Sequence, residues 1–123
     1  MLSDFSVNPT LPAADMVRAR QFYEKTLGFD AEEVSDGGVM YRSGGSTLFV
    51  YPSSFAGTNK ATAAGFEIAD LPATIAELKG RGVRFEEYDM PGFKTVDGVM
   101  QTPDGHVAWF KDTEGNIIGL FQS

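Results

Sequence analysis

The chain has 123 residues, 42% of them hydrophobic, and its 10 basic and 17 acidic side chains give a net charge of −7. That length fits one domain, here 1–123, with enough apolar material to bury a core, and leaves no room for two independent enzyme domains. No cysteine is present, which excludes disulfides and thiolate chemistry; the single His106 excludes a histidine-rich metal site within one chain, and two acidic halves without a basic stripe exclude nucleic acid as a partner.

Met1-Leu2-Ser3-Asp4-Phe5 carries neither a basic nor an apolar leader, and no window reaches the roughly 18 apolar residues of a membrane span, so a soluble cytoplasmic protein is expected. An apolar run then leads to Asp15; Pro9 and Pro12 cannot donate to a ladder and suit only an edge or a bulge. Asp15 stands where an N-cap carboxylate would, and Met16, Ala19, Tyr23 and Leu27 recur at spacings of three and four, predicting a helix to Leu27 with one apolar face. Turns at Ser35-Asp36-Gly37-Gly38 and Gly44-Gly45 cut the segment from Ala31 to Tyr51 into three short strands. After a polar connection from Phe55 to Thr62, a second run, Ala63 to Ile68, ends at Asp70. Leu71, Ile75 and Leu78 then predict a helix to about Arg81, with Pro72 tolerated in its first turn. Neither aspartate has Glu or Gln three residues on to complete a capping box. Val83 to Tyr88 reads as a strand and Pro91 to Asp97 as a solvated connection, the alternative being a cover over a cleft, hinged at Gly92 and Gly98 around Phe93 and Lys94. Turns at Pro103-Asp104-Gly105 and Asp112-Thr113-Glu114-Gly115 flank a strand from His106 to Lys111, and Asn116 to Gln122 forms the last strand.

The two capping aspartates lie 55 residues apart, and the same order of elements follows each. The reading is an internal duplication of one βαβββ unit, module one covering about 5–55 and module two about 62–123, in the α+β class.

Two stretches, Asp15-(x6)-Phe22-Tyr23-Glu24-(x2)-Leu27-Gly28-Phe29 and Trp109-Phe110-Lys111-Asp112-(x)-Glu114-Gly115-Asn116-Ile117, resemble the two signatures of the vicinal oxygen chelate superfamily of glyoxalases, bleomycin-resistance proteins, fosfomycin-modifying transferases and extradiol dioxygenases. The resemblance implies tandem βαβββ modules forming a curved, mostly antiparallel sheet, an open barrel around a central cleft with the helices outside. It also implies a homodimer, leaving open whether the modules pair within one chain or across two. Its usual divalent metal is held at four positions, which here read Asn8, Phe49, Ala63 and Gly119. Imidazole, carboxylate and thiolate are missing from all four, so neither a metal nor another cofactor is expected, and the resemblance carries the fold without the activity.

Strand alternation from those positions points Asn8, Thr10, Phe49, Tyr51, Ala63, Glu67, Ile117, Gly119 and Phe121 toward the cleft, and the superfamily's spacing adds Trp109; His106 falls on the opposite parity. These aromatics are either core filling or ligand contacts. The primary reading is a metal-independent small-molecule-binding protein whose ligand is flat or aromatic, of the kind the bleomycin-resistance proteins represent. The alternative is a lyase, transferase or dioxygenase with a non-standard metal site or protein groups alone, Glu67 being its one catalytic candidate and Tyr51 or Asn8 its hydrogen-bond donor. A cleft packed shut by its own aromatics would instead make an interaction module. The negative charge favours a cationic ligand.

Overall fold

The computed structural model describes residues 1–123. Module one contains β1 (Thr10–Ala13), α1 (Met16–Gln21, continued by a π-turn over Phe22–Thr26), β2 (Ala31–Ser35), β3 (Gly38–Ser43) and β4 (Ser46–Pro52). Module two contains β5 (Thr62–Glu67), α2 (Leu71–Gly80), a short hairpin of β6 (Asp89–Met90) and β7 (Phe93–Lys94), then β8 (Val99–Thr102), β9 (Gly105–Lys111) and β10 (Ile117–Gln122). The two four-stranded sheets have the same topology, β1-β4-β3-β2 and β5-β10-β9-β8. In each, the first strand runs parallel to the last while the other three form an antiparallel meander. The fold is therefore the α+β arrangement expected, two helices with mostly antiparallel sheets that are not closed on themselves.

Both capping aspartates act as the sequence suggests: Asp15 Oδ1 accepts from Arg18 N and Asp70 Oδ1 from Ala73 N, each at 3.1 Å. Pro12 lies in β1, an edge strand, where its missing N–H is tolerated. The expected strand from Val83 to Tyr88 does not form. β8 occupies the edge of β9 from Gly105 to Ala108, so the segment reaches β9 only beyond it, through a bridge of Phe85 with Phe110 and a bond from Glu86 N to Trp109 O. The connection from Pro91 to Asp97 is also more ordered than expected. Gly92, at φ +75°, turns the β6–β7 hairpin, and Asp97 and Gly98, both at positive φ, close a two-residue turn between Val96 and Val99.

One hydrophobic core serves both modules. Leu11, Val39, Tyr41, Leu48 and Val50 meet Phe85, Phe110, Ile118 and Leu120, with Ala19 and Tyr23 of α1 and Leu71 and Ile75 of α2 among them. Each fully buried aliphatic or aromatic side chain contributes about 2 kcal/mol. Aromatic contacts cross the boundary at Phe22–Phe110 and Phe29–Phe66.

A buried polar clasp ties the modules beside this core. The Tyr23 hydroxyl donates to Asp112 Oδ2 at 2.6 Å, and Asp112 also accepts from the Asn116 side chain and from the backbone of Glu114 and Asn116. Asn116 Nδ2 donates in turn to the Pro12 carbonyl. Glu114, its side chain fully buried, accepts from Ala14 N, Asp15 N, the Thr113 hydroxyl and the Arg18 guanidinium. The backbone N–H of the N-cap, which a capping-box glutamate would have satisfied locally, is met by a glutamate 99 residues away. Burial pushes the Glu114 carboxyl up, but the Arg18 guanidinium, the Asp15 N–H and the Thr113 hydroxyl outweigh it and hold the group at about 2. Tyr23 is raised far above its ordinary value, first by burial and then by the Asp112 carboxylate, and remains a neutral donor.

Candidate functional site

Alternation along each strand sends one set of side chains into the shared core and the other onto the opposite face of the sheet. In module one that second face carries Thr10 on β1, exposed and opposite Phe49, and Phe49 and Tyr51 on β4, both half-buried. The Phe49 and Tyr51 rings are 6.2 Å apart and nearly parallel at 7°. The Phe49 ring lies across Gly38 of β3, where a Cβ would come within 2.8 Å of it. Asn8 is exposed in the extended segment before β1.

In module two the corresponding face carries Trp109, Gly119, Phe121, Ile117 and Glu67. Trp109 is 8% exposed and sits opposite Gly119, where an added Cβ would meet the Thr62 methyl at 3.3 Å and the indole at an ordinary 3.5 Å. Phe121 is half-buried and pairs with Glu67, whose exposed side chain has no hydrogen-bond partner in the chain. Ala63 departs from the expected alternation. The register of β5 on β10 shifts between Ile117 and Ile118, so Thr62 faces Ile117 and Gly65 faces Gly119, while Ala63 packs against the core. Thr62 takes the place that spacing gave to Ala63, and its hydroxyl oxygen accepts from Trp109 Nε1 at 3.1 Å, fixing the plane of the indole.

Trp109 belongs to an aromatic group that its sequence neighbourhood does not reveal. Phe93 tilts against it at 5.1 Å, and Tyr88 meets it edge-on at 5.6 Å, both from the β6–β7 segment. The Pro91–Asp97 connection is therefore not merely solvated, because Phe93 roofs the indole. At its base the Glu87 carboxylate accepts from the Thr95 hydroxyl and from Gly98 N, which lowers the carboxyl, and Tyr88 N donates to the Thr95 oxygen. Together with Met90, Ile117, Thr62, Ala61 and Lys60, these rings line a cavity of about 280 Å³. Tyr88, Met90, Phe93, Thr62 and Lys60 were not among the expected lining. The available signal was Pro91-Gly92 between apolar residues, a turn that folds a short hairpin back on its neighbours.

The structure thus joins Phe49 with Tyr51, and Trp109 with Gly119 and Ile117, but it does not join the two groups: every aromatic contact on these faces stays within its own module. His106 is exposed on the helix side of its sheet, beside Leu71 and Ile75. The largest groove, about 610 Å³ along Leu27–Glu32 and Arg42–Gly44, holds none of the expected site residues. A metal does not fit the four ligand positions, where an amide, a benzyl ring, a bare backbone and, in the place expected for Ala63, a Thr62 hydroxyl already bonded to the indole replace the donors. Nor do three or more His, Cys, Asp or Glu side chains gather anywhere in a group that could hold one. No helix is long and apolar enough to cross a membrane.

Residues 7–120 match the family model of the glyoxalase/bleomycin resistance protein/dioxygenase superfamily, and the chain belongs to that superfamily. No curated protein matches it. Among solved structures, the bleomycin-binding protein from bleomycin-producing Streptomyces verticillus, complexed with copper(II)-bleomycin, aligns at TM-score 0.74 and 23% identity, over 97% of this chain and 96% of that one. A bleomycin resistance determinant encoded on the transposon Tn5 aligns at TM-score 0.75 and 20% identity, over 97% and 98%. TnmS3, an antibiotic-binding protein from Streptomyces sp. CB03234, aligns at TM-score 0.63 and 27% identity, over 96% of both chains.

Proposed function

We propose that this member of the superfamily is a metal-independent binding protein that holds a flat or aromatic small molecule without transforming it. The observation that carries the reading is the Trp109 cavity, an aromatic site standing in a module whose metal-ligand positions hold no donor. Glu67 lends the enzymatic alternative no support, because nothing orients its carboxylate toward a reacting atom. Similarity to proteins described as binding bleomycin or an antibiotic is consistent with a binding role and does not transfer either ligand.

The reading includes a homodimer. Within one chain the modules share a core through their helix-bearing sides, while the faces carrying Phe49 and Tyr51, and Trp109 and Phe121, make no aromatic contact with each other. A second copy can lay module one of one protomer against module two of the other, closing two equivalent clefts. Sedimentation should give twice the 13.3 kDa chain mass.

The test is direct. Tag-free protein incubated with zinc, nickel, manganese or iron(II) and freed of excess should retain almost no metal by elemental mass spectrometry, and flat aromatic compounds should raise its melting temperature. Retention of one metal per chain, or no response to any aromatic compound, would overturn the reading.

A further inference from the structure

The module-two cavity has a lopsided polar lining. Lys60 is the only charged residue among those that line it, and Lys60 takes part in no ion pair of the chain. The Thr62 oxygen is occupied by Trp109 Nε1, which leaves its O–H proton to donate, and the chain supplies no acceptor for it. Lys60, exposed at the edge of the cavity, and the Thr62 hydroxyl are both donors, while no carboxylate lines the cavity to receive a cation. The remaining walls are Ala61, Tyr88, Met90, Phe93, Trp109 and Ile117. A cavity of about 280 Å³ lies just below the roughly 300–1,000 Å³ of sites for drug-sized ligands, a size that suits a ring system of one or two rings.

We propose that this cavity takes a small planar aromatic anion, a carboxylate or phenolate whose ring packs on Trp109 beside Tyr88 and Phe93 and whose charged oxygen meets Lys60 and Thr62. The assignment rests on the reading of the chain as an aromatic-binding protein and names the class of ligand. It runs against the net charge of −7, but that charge acts at long range and is screened beyond about 8 Å at physiological ionic strength. The groups within contact distance decide the sign.

Calorimetric titration of the full chain at physiological ionic strength, with naphthoate, its uncharged isostere naphthamide, and the cation naphthylmethylammonium, tests the proposal. Naphthoate should bind about fivefold more tightly than naphthamide, the cation more weakly than either, and Lys60→Gln should bring naphthoate down to the amide's affinity. The exposed control Lys79→Gln should change nothing. Naphthoate should also shift the indole N–H resonance of Trp109, which is the only tryptophan and therefore gives a single signal. Equal binding of acid and amide, preference for the cation, indifference to Lys60→Gln, or binding without an indole shift would overturn the anion assignment and leave the aromatic-binding reading intact. Failure of all three probes to bind would overturn both.

Discussion

The two modules share a topology and differ in what stands on the face away from the core. Module one passes from α1 to β2 through Gly28-Phe29-Asp30, and its Phe49–Tyr51 pair lies open and half-exposed. Module two inserts a hairpin between α2 and β8, and that insertion roofs Trp109, supplies Tyr88 and Phe93, and turns a sheet face into a cavity. The two halves keep the same hydrogen-bonded frame, in which register and core faces admit little change. A connection outside the frame is free to acquire chemistry.

The clasp shows the same division. Both halves of the signature pattern meet in it: Tyr23 bonds Asp112, Arg18 bonds Glu114, and Asn116 bonds the Pro12 carbonyl. Module one has only Gly44-Gly45 between its last two strands and offers no counterpart. The residues that make the family recognisable thus hold the modules together, while the residues lining the cavity lie mostly elsewhere.

The largest effect should come from cutting the clasp. Glu114→Ala leaves the Arg18 guanidinium and two backbone N–H groups without their acceptor and should lower stability by about 3 kcal/mol in urea denaturation; a loss below about 1 kcal/mol would mean that Glu114 adds little to the joining of the modules. The same carboxyl sets an acid limit. Its folded value of about 2 lies below the ordinary 4.5, so its contribution is present above pH 4.5 and is lost as pH falls from there toward 2. The loss should reach at most about 3 kcal/mol, and Glu114→Ala should be missing that part of the acid transition. Tyr23→Phe, which removes one charge-assisted bond and leaves Asp112 its other donors, should cost about 1.5 kcal/mol.

Smaller effects test the contrast between the roofed and the open face. Phe93→Ala should uncover the indole, shift Trp109 emission to the red, and weaken aromatic ligands, at a stability cost of about 1 kcal/mol. Phe49→Ala leaves the Phe93 and Tyr88 rings on the indole and should shift Trp109 emission less than Phe93→Ala does. Equal spectral responses to the two substitutions would erase the distinction drawn between the modules.

Much of the frame was legible along the chain. The 55-residue offset, the two capping aspartates, the glycine-rich turns and the parity of β4 and β9 all arise from local rules of helix and strand period, which act on a few neighbouring residues at a time. Counted from the ligand positions that the resemblance implied, those rules placed Thr10, Phe49, Tyr51, Glu67, Gly119 and Phe121 on the faces where the structure has them, and the superfamily's spacing placed Trp109. They missed Ala63, because a single bulged residue reverses every side chain on one side of it and leaves no mark in composition. They also read Val83 to Tyr88 as a strand, since the pattern was right and only the prior claim of β8 on the edge of β9 forbade it.

The sequence by itself determined the duplicated βαβββ plan, the lack of metal donors at the four ligand positions, and the faces on which most of the aromatics stand. Only the tertiary structure decided that Glu114 caps a helix 99 residues away, that Phe93 and Tyr88 close on Trp109, and that Lys60 stands alone at the cavity they form. The physical reason is range: period and capping follow from neighbours along the chain, whereas a cavity is defined by groups whose separation in sequence says nothing of their distance in space.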